Sequence, residues 1–252
     1  MPRMDASTTA DRFPARSPSD GGRPPSAVVF DLGGVLIDWD PRHLYRSLFT
    51  AEADMEAFLA TVCTPEWNAR QDAGRPWAEA VASLVAQFPT ERERIVAYHE
   101  RWPEMLGGPI EGTVAVLGEL RDRRVPVYAL SNWSAETFPV ARARYPFLGW
   151  FDGLVISGEE RLAKPDPRLF RVLLERHRLA PRSTVYVDDS APNVTVAAEL
   201  GMVALQFTGP AALRADLARL GLVGEPGAES GAGPVTARVA APRTRTREDP
   251  AG

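Results

Sequence analysis

Five short apolar runs alternate with longer segments of helical periodicity, and this alternation constrains the fold more than any other feature of the sequence. The apolar runs occupy residues 27–30, 126–130, 153–156, 184–187 and 203–206. The helical segments occupy residues 113–123, 136–144, 167–176, 192–200 and 211–220. Strands that are apolar throughout are typical of parallel sheets covered by helices on both faces. The sequence therefore predicts an α/β fold with a Rossmann-like, doubly wound parallel sheet.

The first and second predicted strands are separated by residues 31–125, which is far longer than an ordinary crossover connection. Residues 41–106 are helical in pattern throughout, with apolar positions that include Leu44, Phe58 and Leu84. We expect these residues to form a small helical domain, called here the helical insertion. Ligands of open parallel sheets bind beyond the carboxyl ends of the strands, so an insertion after the first strand would cover the site as a cap.

The two ends of the chain differ in composition from the rest. Residues 1–25 are rich in Pro, Ser, Arg and Asp, and residues 224–252 contain no aromatic residue. Segments with so few large apolar side chains cannot offset the entropy that is lost on folding. We expect both ends to be disordered, and the catalytic core to comprise residues 26–40 and 107–223.

Charge and residue counts exclude several classes of protein. The chain has 29 Lys and Arg against 33 Asp and Glu, so it offers no basic field for nucleic acid. One cysteine, Cys63, and three separated histidines support neither a disulfide scaffold nor a zinc site. The sequence has no recognisable signal peptide and no run of about 18 apolar residues. It predicts a cytoplasmic protein without a membrane partner, and leaves the oligomeric state open, a monomer included.

Polar residues follow three of the predicted strands or precede the helix at residues 167–176. They are Asp31, Ser131, Asn132, Lys164, Asp188 and Asp189. Taken singly, an Asp after a strand also fits a helix or turn cap, Ser131 and Asn132 fit the start of a turn, and Lys164 fits an exposed loop. Adjacent acids are less easily explained in this way, because they are costly to bury unless a cation or hydrogen-bond donors compensate. We expect all of these residues to project from the same edge of the sheet. Such a site can hold a divalent cation and a phosphoryl group together.

The segments that carry these residues resemble the motifs of a known family. In chain order they read VVFDLGGVLIDWD, YALSNWS, LAKPDPRLF and VYVDDSAPNVTVAAELG. They are similar to the four motifs of the haloacid dehalogenase superfamily of aspartate-nucleophile hydrolases, subfamily IA, and most similar to its α-D-glucose-1-phosphate phosphatase branch. The resemblance covers residues 27–208 and implies that the helical insertion is a cap of the C1 type.

The resemblance implies a role for each acidic residue. Asp31 would be the nucleophile that attacks phosphorus and forms an aspartyl-phosphate. Mg²⁺ would be held by Asp31, the backbone carbonyl of Gly33 and Asp189, with Asp188 binding through water or orienting the other ligands. Asn193 would steady this acidic loop. Oxygen-only ligands suit this hard cation.

The same resemblance assigns the remaining polar residues to the phosphoryl group. Ser131 and the amide of Asn132 would donate hydrogen bonds to its non-bridging oxygens. Lys164 would be catalytic by neutralising charge on both the nucleophile and the phosphoryl group.

One position departs from the family pattern. Most phosphatases of the superfamily have a second Asp two residues after the nucleophile, which protonates the leaving group, and this chain has Gly33 there. The proton donor is therefore unassigned. Asp38, Asp40 and His43 follow closely and are candidates, although each also fits a helix cap or a surface position.

These observations predict a magnesium-dependent phosphomonoester hydrolase that acts on a small phosphorylated metabolite. A sugar phosphate with an acidic anomeric leaving group would need the missing acid least. Two alternatives remain open. A 2-haloacid dehalogenase would use the same Asp nucleophile, and a non-catalytic module would bind a phosphometabolite without turning it over.

Overall fold

The computed structural model describes residues 25–224. The two segments predicted to be disordered lie outside the described residues, apart from Pro25 and Gly224 at their boundaries. The strands are β1 (Ala27–Phe30), β2 (Ile37–Trp39), β3 (Leu106–Pro109), β4 (Val127–Ser131), β5 (Gly153–Ile156), β6 (Thr184–Asp188) and β7 (Val203–Gln206). The helices are α1 (Pro41–Tyr45), α2 (Glu52–Thr61), α3 (Pro65–Asp72), α4 (Trp77–Gln87), α5 (Arg92–Glu100), α6 (Glu111–Asp122), α7 (Phe138–Arg144), α8 (Ser157–Glu160), α9 (Pro167–Arg176), α10 (Ala191–Glu199) and α11 (Pro210–Arg219).

The five predicted apolar runs form one parallel sheet in the order β5-β4-β1-β6-β7. This arrangement confirms the predicted fold class. Successive strand residues face opposite sides of the sheet, so Val28 and Phe30 enter one apolar cluster and Val29 enters the other. Helices α6 and α11 contribute to the first cluster and α9 to the second. The chain reverses its direction of winding between β1 and β6, where open α/β sheets bind their ligands.

A second, antiparallel sheet of two strands was not predicted from the sequence. It pairs β2 with β3, with Ile37 opposite Pro109 and Trp39 opposite Leu106. The sequence of β3 is LGGP, and Gly and Pro are depleted in strands, so its composition gives no strand signal. This ribbon lies at both ends of the helical insertion, so the chain enters and leaves the insertion through neighbouring strands.

The helical insertion contains α1 to α5. Its interior is aromatic: Trp77 stacks on Tyr98, and Trp67 packs edge-on against both. These side chains belong to the same apolar cluster as Phe30 of the central sheet. The division into a core and a cap at residues 40/41 and 106/107 stays a prediction. None of the helices within residues 25–224 has the length and apolar character needed to cross a bilayer.

Candidate active site

Asp31 lies directly after β1, and the residue is 8% exposed. Its backbone N–H donates to the carbonyl of Val187 in β6, which anchors the residue between the two central strands. Its Oδ1 atom accepts hydrogen bonds from Ser131 Oγ at 2.8 Å and from the Leu32 N–H at 2.7 Å. Its Oδ2 atom lies 2.9 Å from Lys164 Nζ. The hydroxyl and the ammonium group therefore hold the carboxylate in one orientation.

Lys164 is the only lysine in the chain, and its side chain is completely buried. Its Nζ atom also lies 2.7 Å from Oδ2 of Asp188, which is completely buried too. Asn132 fixes the lysine backbone from both sides: its Oδ1 accepts from the Lys164 N–H at 2.8 Å, and its Nδ2 donates to the Lys164 carbonyl at 3.0 Å. Because the side-chain amide of Asn132 is engaged with Lys164, phosphate binding by this residue stays a prediction.

Asp188 is surrounded by hydrogen-bond donors. Its oxygens accept from the Ser190 N–H at 2.8 Å, from Asn193 Nδ2 at 3.0 and 3.1 Å, and from the hydroxyl of Tyr186. Together with Lys164 these contacts occupy both oxygens. The geometry suits Asp188 to orienting its neighbours more than to direct metal binding. Asn193 thus contacts the acidic loop, and its role in steadying that loop stays a prediction.

Asp189 is the exposed member of the acidic group. A side-chain oxygen of each of Asp31, Asp188 and Asp189 lies within 4.8 Å of the other two. Gly34 backs this group with φ +72°, and a Cβ atom there would come within 2.6 Å of Asp189 Oδ2. The glycine thus leaves the space that the Asp189 carboxylate fills. A compact set of carboxylate oxygens fits a hard divalent cation such as Mg²⁺.

Burial and charge set the protonation of these groups. Burial raises the pKa of Asp31 to about 6, although the charge of Lys164 opposes this effect. Burial alone would lower the pKa of Lys164, but the charges of Asp31 and Asp188 outweigh it, and the pKa of Lys164 is raised. Burial and the charge of Asp188 raise the pKa of Asp189. Bringing a cation to the acids would favour their ionised forms.

A cavity of about 70 Å³ lies where the helical insertion meets the sheet edge, and Gly33 and Asn132 line it from the sheet side. Its lining residues are Gly33, Trp39, Asn68, Asp72, Trp102, Asn132 and Trp133. Two of these lining residues, Asn68 and Trp133, each have a buried polar atom, Oδ1 and Nε1 respectively, without a hydrogen-bond partner among the described residues. Buried polar atoms normally have partners, so these two are available to a bound molecule.

Asp72, at the end of α3, is a lining residue that the sequence did not reveal. Its Oδ2 accepts from Asn68 Nδ2 at 2.9 Å, and the Ser134 N–H after β4 also donates to its carboxylate. Burial raises the pKa of Asp72 to about 7, and the charge of Asp31 raises it further. Nothing in the local sequence marks Asp72, because its place depends on how the insertion docks on the sheet.

The three proton-donor candidates named from the sequence have other contacts. Asp40 is the N-cap of α1 and accepts from the Arg42 N–H at 2.9 Å. Asp38 Oδ2 lies 3.0 Å from His43 Nε2, and this pair is exposed. None of the three residues lines the 70 Å³ cavity. Asp38 and Asp40 instead line a separate cavity of about 630 Å³.

Two curated proteins are similar to the chain over most of their length. A sesquiterpene phosphatase of Aspergillus oryzae is 26% identical over 77% of this chain and 95% of its own. A D-ribitol-5-phosphate phosphatase of Bacteroides thetaiotaomicron is 25% identical over 75% of this chain and 95% of its own. These two enzymes have unlike substrates, so the similarity does not single out the α-D-glucose-1-phosphate phosphatase branch, which stays a prediction.

Solved structures share the fold at lower identity. A haloacid dehalogenase family enzyme from Bacteroides thetaiotaomicron, solved with magnesium and inorganic phosphate, has a TM-score of 0.56 at 22% identity, covering 73% of this chain and 95% of its own. L-2-haloacid dehalogenase from Xanthobacter autotrophicus has a TM-score of 0.53 at 18% identity, covering 77% and 83%. Residues 25–201 match the family described as haloacid dehalogenase-like hydrolase. Because this match spans more than half of the sequence, the chain belongs to the haloacid dehalogenase-like hydrolase family.

Proposed function

We propose that the protein is a Mg²⁺-dependent phosphomonoester hydrolase that forms an aspartyl-phosphate on Asp31 and acts on a small phosphorylated metabolite. The observation that carries this proposal is the position of the Asp31 carboxylate. It clusters with those of Asp188 and Asp189 and forms an ion pair with Lys164. The names of the two phosphatase relatives support the choice of a phosphate ester as substrate.

The donor set supports Mg²⁺ as the cofactor. Asp31, the backbone carbonyl of Gly33 and Asp189 would hold the ion, and Asp188 would orient the group through its contacts with Lys164 and Asn193. When bound, the ion would neutralise charge on the phosphoryl oxygens. The solved family member that contains both magnesium and phosphate is consistent with this assignment.

The chemistry of the chain's own residues follows from their contacts. An oxygen of Asp31 forms a bond to phosphorus while the bond from phosphorus to the leaving oxygen breaks, and the leaving oxygen takes a proton. Water then attacks the same phosphorus and releases inorganic phosphate and the free carboxylate. Ser131 and Lys164 keep the nucleophile oriented, and the lysine charge offsets the negative charge on both carboxylate and phosphoryl group.

The dehalogenase alternative would leave the acidic pair without a role, because that chemistry needs no metal. Turnover of p-nitrophenyl phosphate with Mg²⁺ and with EDTA separates the possibilities. We expect turnover that requires Mg²⁺ and is abolished in Asp31→Asn. Asp54 is an exposed acid in α2, and Asp54→Asn serves as the control that should keep wild-type turnover. Turnover of a 2-haloacid in EDTA would support the dehalogenase, and binding without turnover would support the non-catalytic module.

The substrate class needs a separate experiment. A panel of phosphorylated sugars, polyols, isoprenoid alcohols and small acids, assayed for phosphate release, tests the expected preference for a small phosphorylated metabolite. A sugar phosphate is the narrower substrate proposed, because a D-ribitol-5-phosphate phosphatase is among the similar proteins. Preference for a long-chain ester over every small substrate would contradict it.

A further inference from the structure

The structure leaves a gap at the position where the resemblance expects a proton donor. Gly33 lines the 70 Å³ cavity, and a Cβ atom built on it would meet nothing within 4 Å. Its φ angle is not in the left-handed region, so the backbone would accept a side chain. The protein therefore has room for an acid at Gly33 and does not place one there.

A carboxyl group from the helical insertion lines the same cavity. Asp72 ends α3 and shares the cavity with Gly33 and Asn132, and its carboxylate interacts electrostatically with Asp31. Asn68 and the Ser134 N–H hold the carboxylate from the two sides of the junction between insertion and sheet. Trp77 Nε1 donates to Ser134 Oγ at 3.0 Å and braces the same junction.

The surroundings of Asp72 suit it to proton transfer near neutral pH. Burial is the main reason that its pKa rises to about 7, and the Asp31 charge adds to the effect, whereas the hydrogen bonds from Ser134 and Asn68 oppose it. Tyr98 of α5 also interacts with Asp72, and the pKa of Tyr98 is itself raised well above the ordinary value by burial. A group with a pKa near the working pH is the most effective general acid or base.

We propose that Asp72, in the helical insertion, is the general acid and base of the reaction and takes the role of the acid that is missing at Gly33. This inference rests on the proposed phosphatase function. The protonated carboxyl gives its proton to the leaving oxygen as the bond from phosphorus to that oxygen breaks. The resulting carboxylate takes a proton from the water that attacks the aspartyl-phosphate, which restores the acid for the next cycle.

Leaving-group dependence tests the assignment. Glycerol phosphate needs a proton on its leaving alkoxide, whereas 2,4-dinitrophenyl phosphate does not. We expect Asp72→Asn to lower kcat/KM for glycerol phosphate by about 100-fold or more and to leave the value for the dinitrophenyl ester within about 10-fold of wild type. We also expect a burst of one equivalent of dinitrophenol followed by slow turnover, because the base for the second step is missing.

A rescue variant and a matched control sharpen this test. Gly33→Asp added to Asp72→Asn puts a carboxyl group on another residue that lines the cavity, and we expect it to recover glycerol phosphate turnover at least about 10-fold. Asp54→Asn removes an exposed acid of the same insertion, in α2, and we expect the ratio between the two esters to match wild type. Asp72→Ser repeats the measurement with a smaller side chain in case Asp72→Asn does not fold.

The outcomes separate this inference from the proposed function. Equal losses for both esters, or no loss for glycerol phosphate, would overturn the role of Asp72 while leaving the phosphatase function intact. If wild-type protein with Mg²⁺ hydrolyses neither ester, the proposed function fails, and the inference fails with it.

Discussion

Lys164 Nζ lies 2.7 Å from Oδ2 of Asp188, and both side chains are completely buried. The same nitrogen atom lies 2.9 Å from Asp31, so one ammonium group joins the carboxylate that follows β1 to the carboxylate that ends β6. Without this cation, two negative charges would be buried at the centre of the sheet edge. Removing one partner of a buried ion pair is strongly destabilising, because the remaining charge has lost its compensation.

Lys164→Met is therefore expected to lower stability as well as activity. Loss of a buried partner costs about 3–5 kcal/mol, and each kcal/mol corresponds to about 2–4 °C in a domain of this size. We expect Tm in EDTA to fall by at least about 6 °C, and added Mg²⁺ to recover part of the loss by neutralising the acids. Arg168→Met removes an exposed ion pair with Asp166 and should change Tm little. Equal Tm values for Lys164→Met and wild type would contradict the account.

Asp189→Asn is expected to weaken Mg²⁺ binding. Asp189 is the exposed acid of the group and has the fewest competing donors, so its carboxylate is the most available to the ion. Isothermal titration with MgCl₂ should show a dissociation constant at least about 10-fold larger than that of wild type. Asp54→Asn is the control for the loss of one negative charge. An unchanged dissociation constant for Asp189→Asn would remove this residue from the metal site.

Gly34→Ala tests the shape of the same acidic group. The added methyl group would come within 2.6 Å of Asp189 Oδ2 on a backbone with φ +72°. We expect Asp189 to be displaced, and Mg²⁺ affinity to fall at least about 10-fold, as it does in Asp189→Asn. Gly149→Ala is the matched control, since a Cβ atom there meets nothing within 4 Å. Full Mg²⁺ affinity in Gly34→Ala would show that the position of Asp189 does not govern binding.

Asp72→Asn is expected to change how stability depends on pH. The pKa of Asp72 rises, chiefly through burial, from 3.8 to about 7 in the folded protein. Between these values the folded state holds a proton that the unfolded chain releases, so wild-type stability falls as pH rises through this window. The variant lacks this loss, so in EDTA its Tm should exceed that of wild type by a few degrees at pH 8. The difference should shrink towards pH 4.

Thermal unfolding at pH 4, 6 and 8 checks this prediction, with Asp54→Asn as the surface control. A Tm difference between Asp72→Asn and wild type that stays constant with pH would mean that the pKa of Asp72 is the same in the folded and unfolded protein, as it is for an ordinary surface acid. That result would also weaken its assignment as a proton donor.

The sequence predicts the sheet and most of the residues at its edge, because apolar runs mark the strands and the polar residues come directly after those runs. Asp31 follows a fully apolar run, and Asp188 ends another, so their convergence follows from parallel pairing alone. The β2-β3 ribbon could not be predicted, because β3 has the sequence LGGP, which contains none of the β-branched or aromatic residues that are typical of strands. Asp72 could not be predicted because its contact with Ser134 forms only when α3 docks on the sheet edge, and no local sequence pattern encodes that contact.

The central claim is that the Asp31 carboxylate becomes transiently phosphorylated. Wild-type protein with Mg²⁺ can be mixed with a ³²P-labelled phosphomonoester, quenched in acid within milliseconds, reduced with borohydride and mapped by mass spectrometry. The account predicts labelled protein during turnover, with the reduced product at position 31, and no label in Asp31→Asn. Unlabelled protein during steady turnover, or label on another residue, would contradict the account.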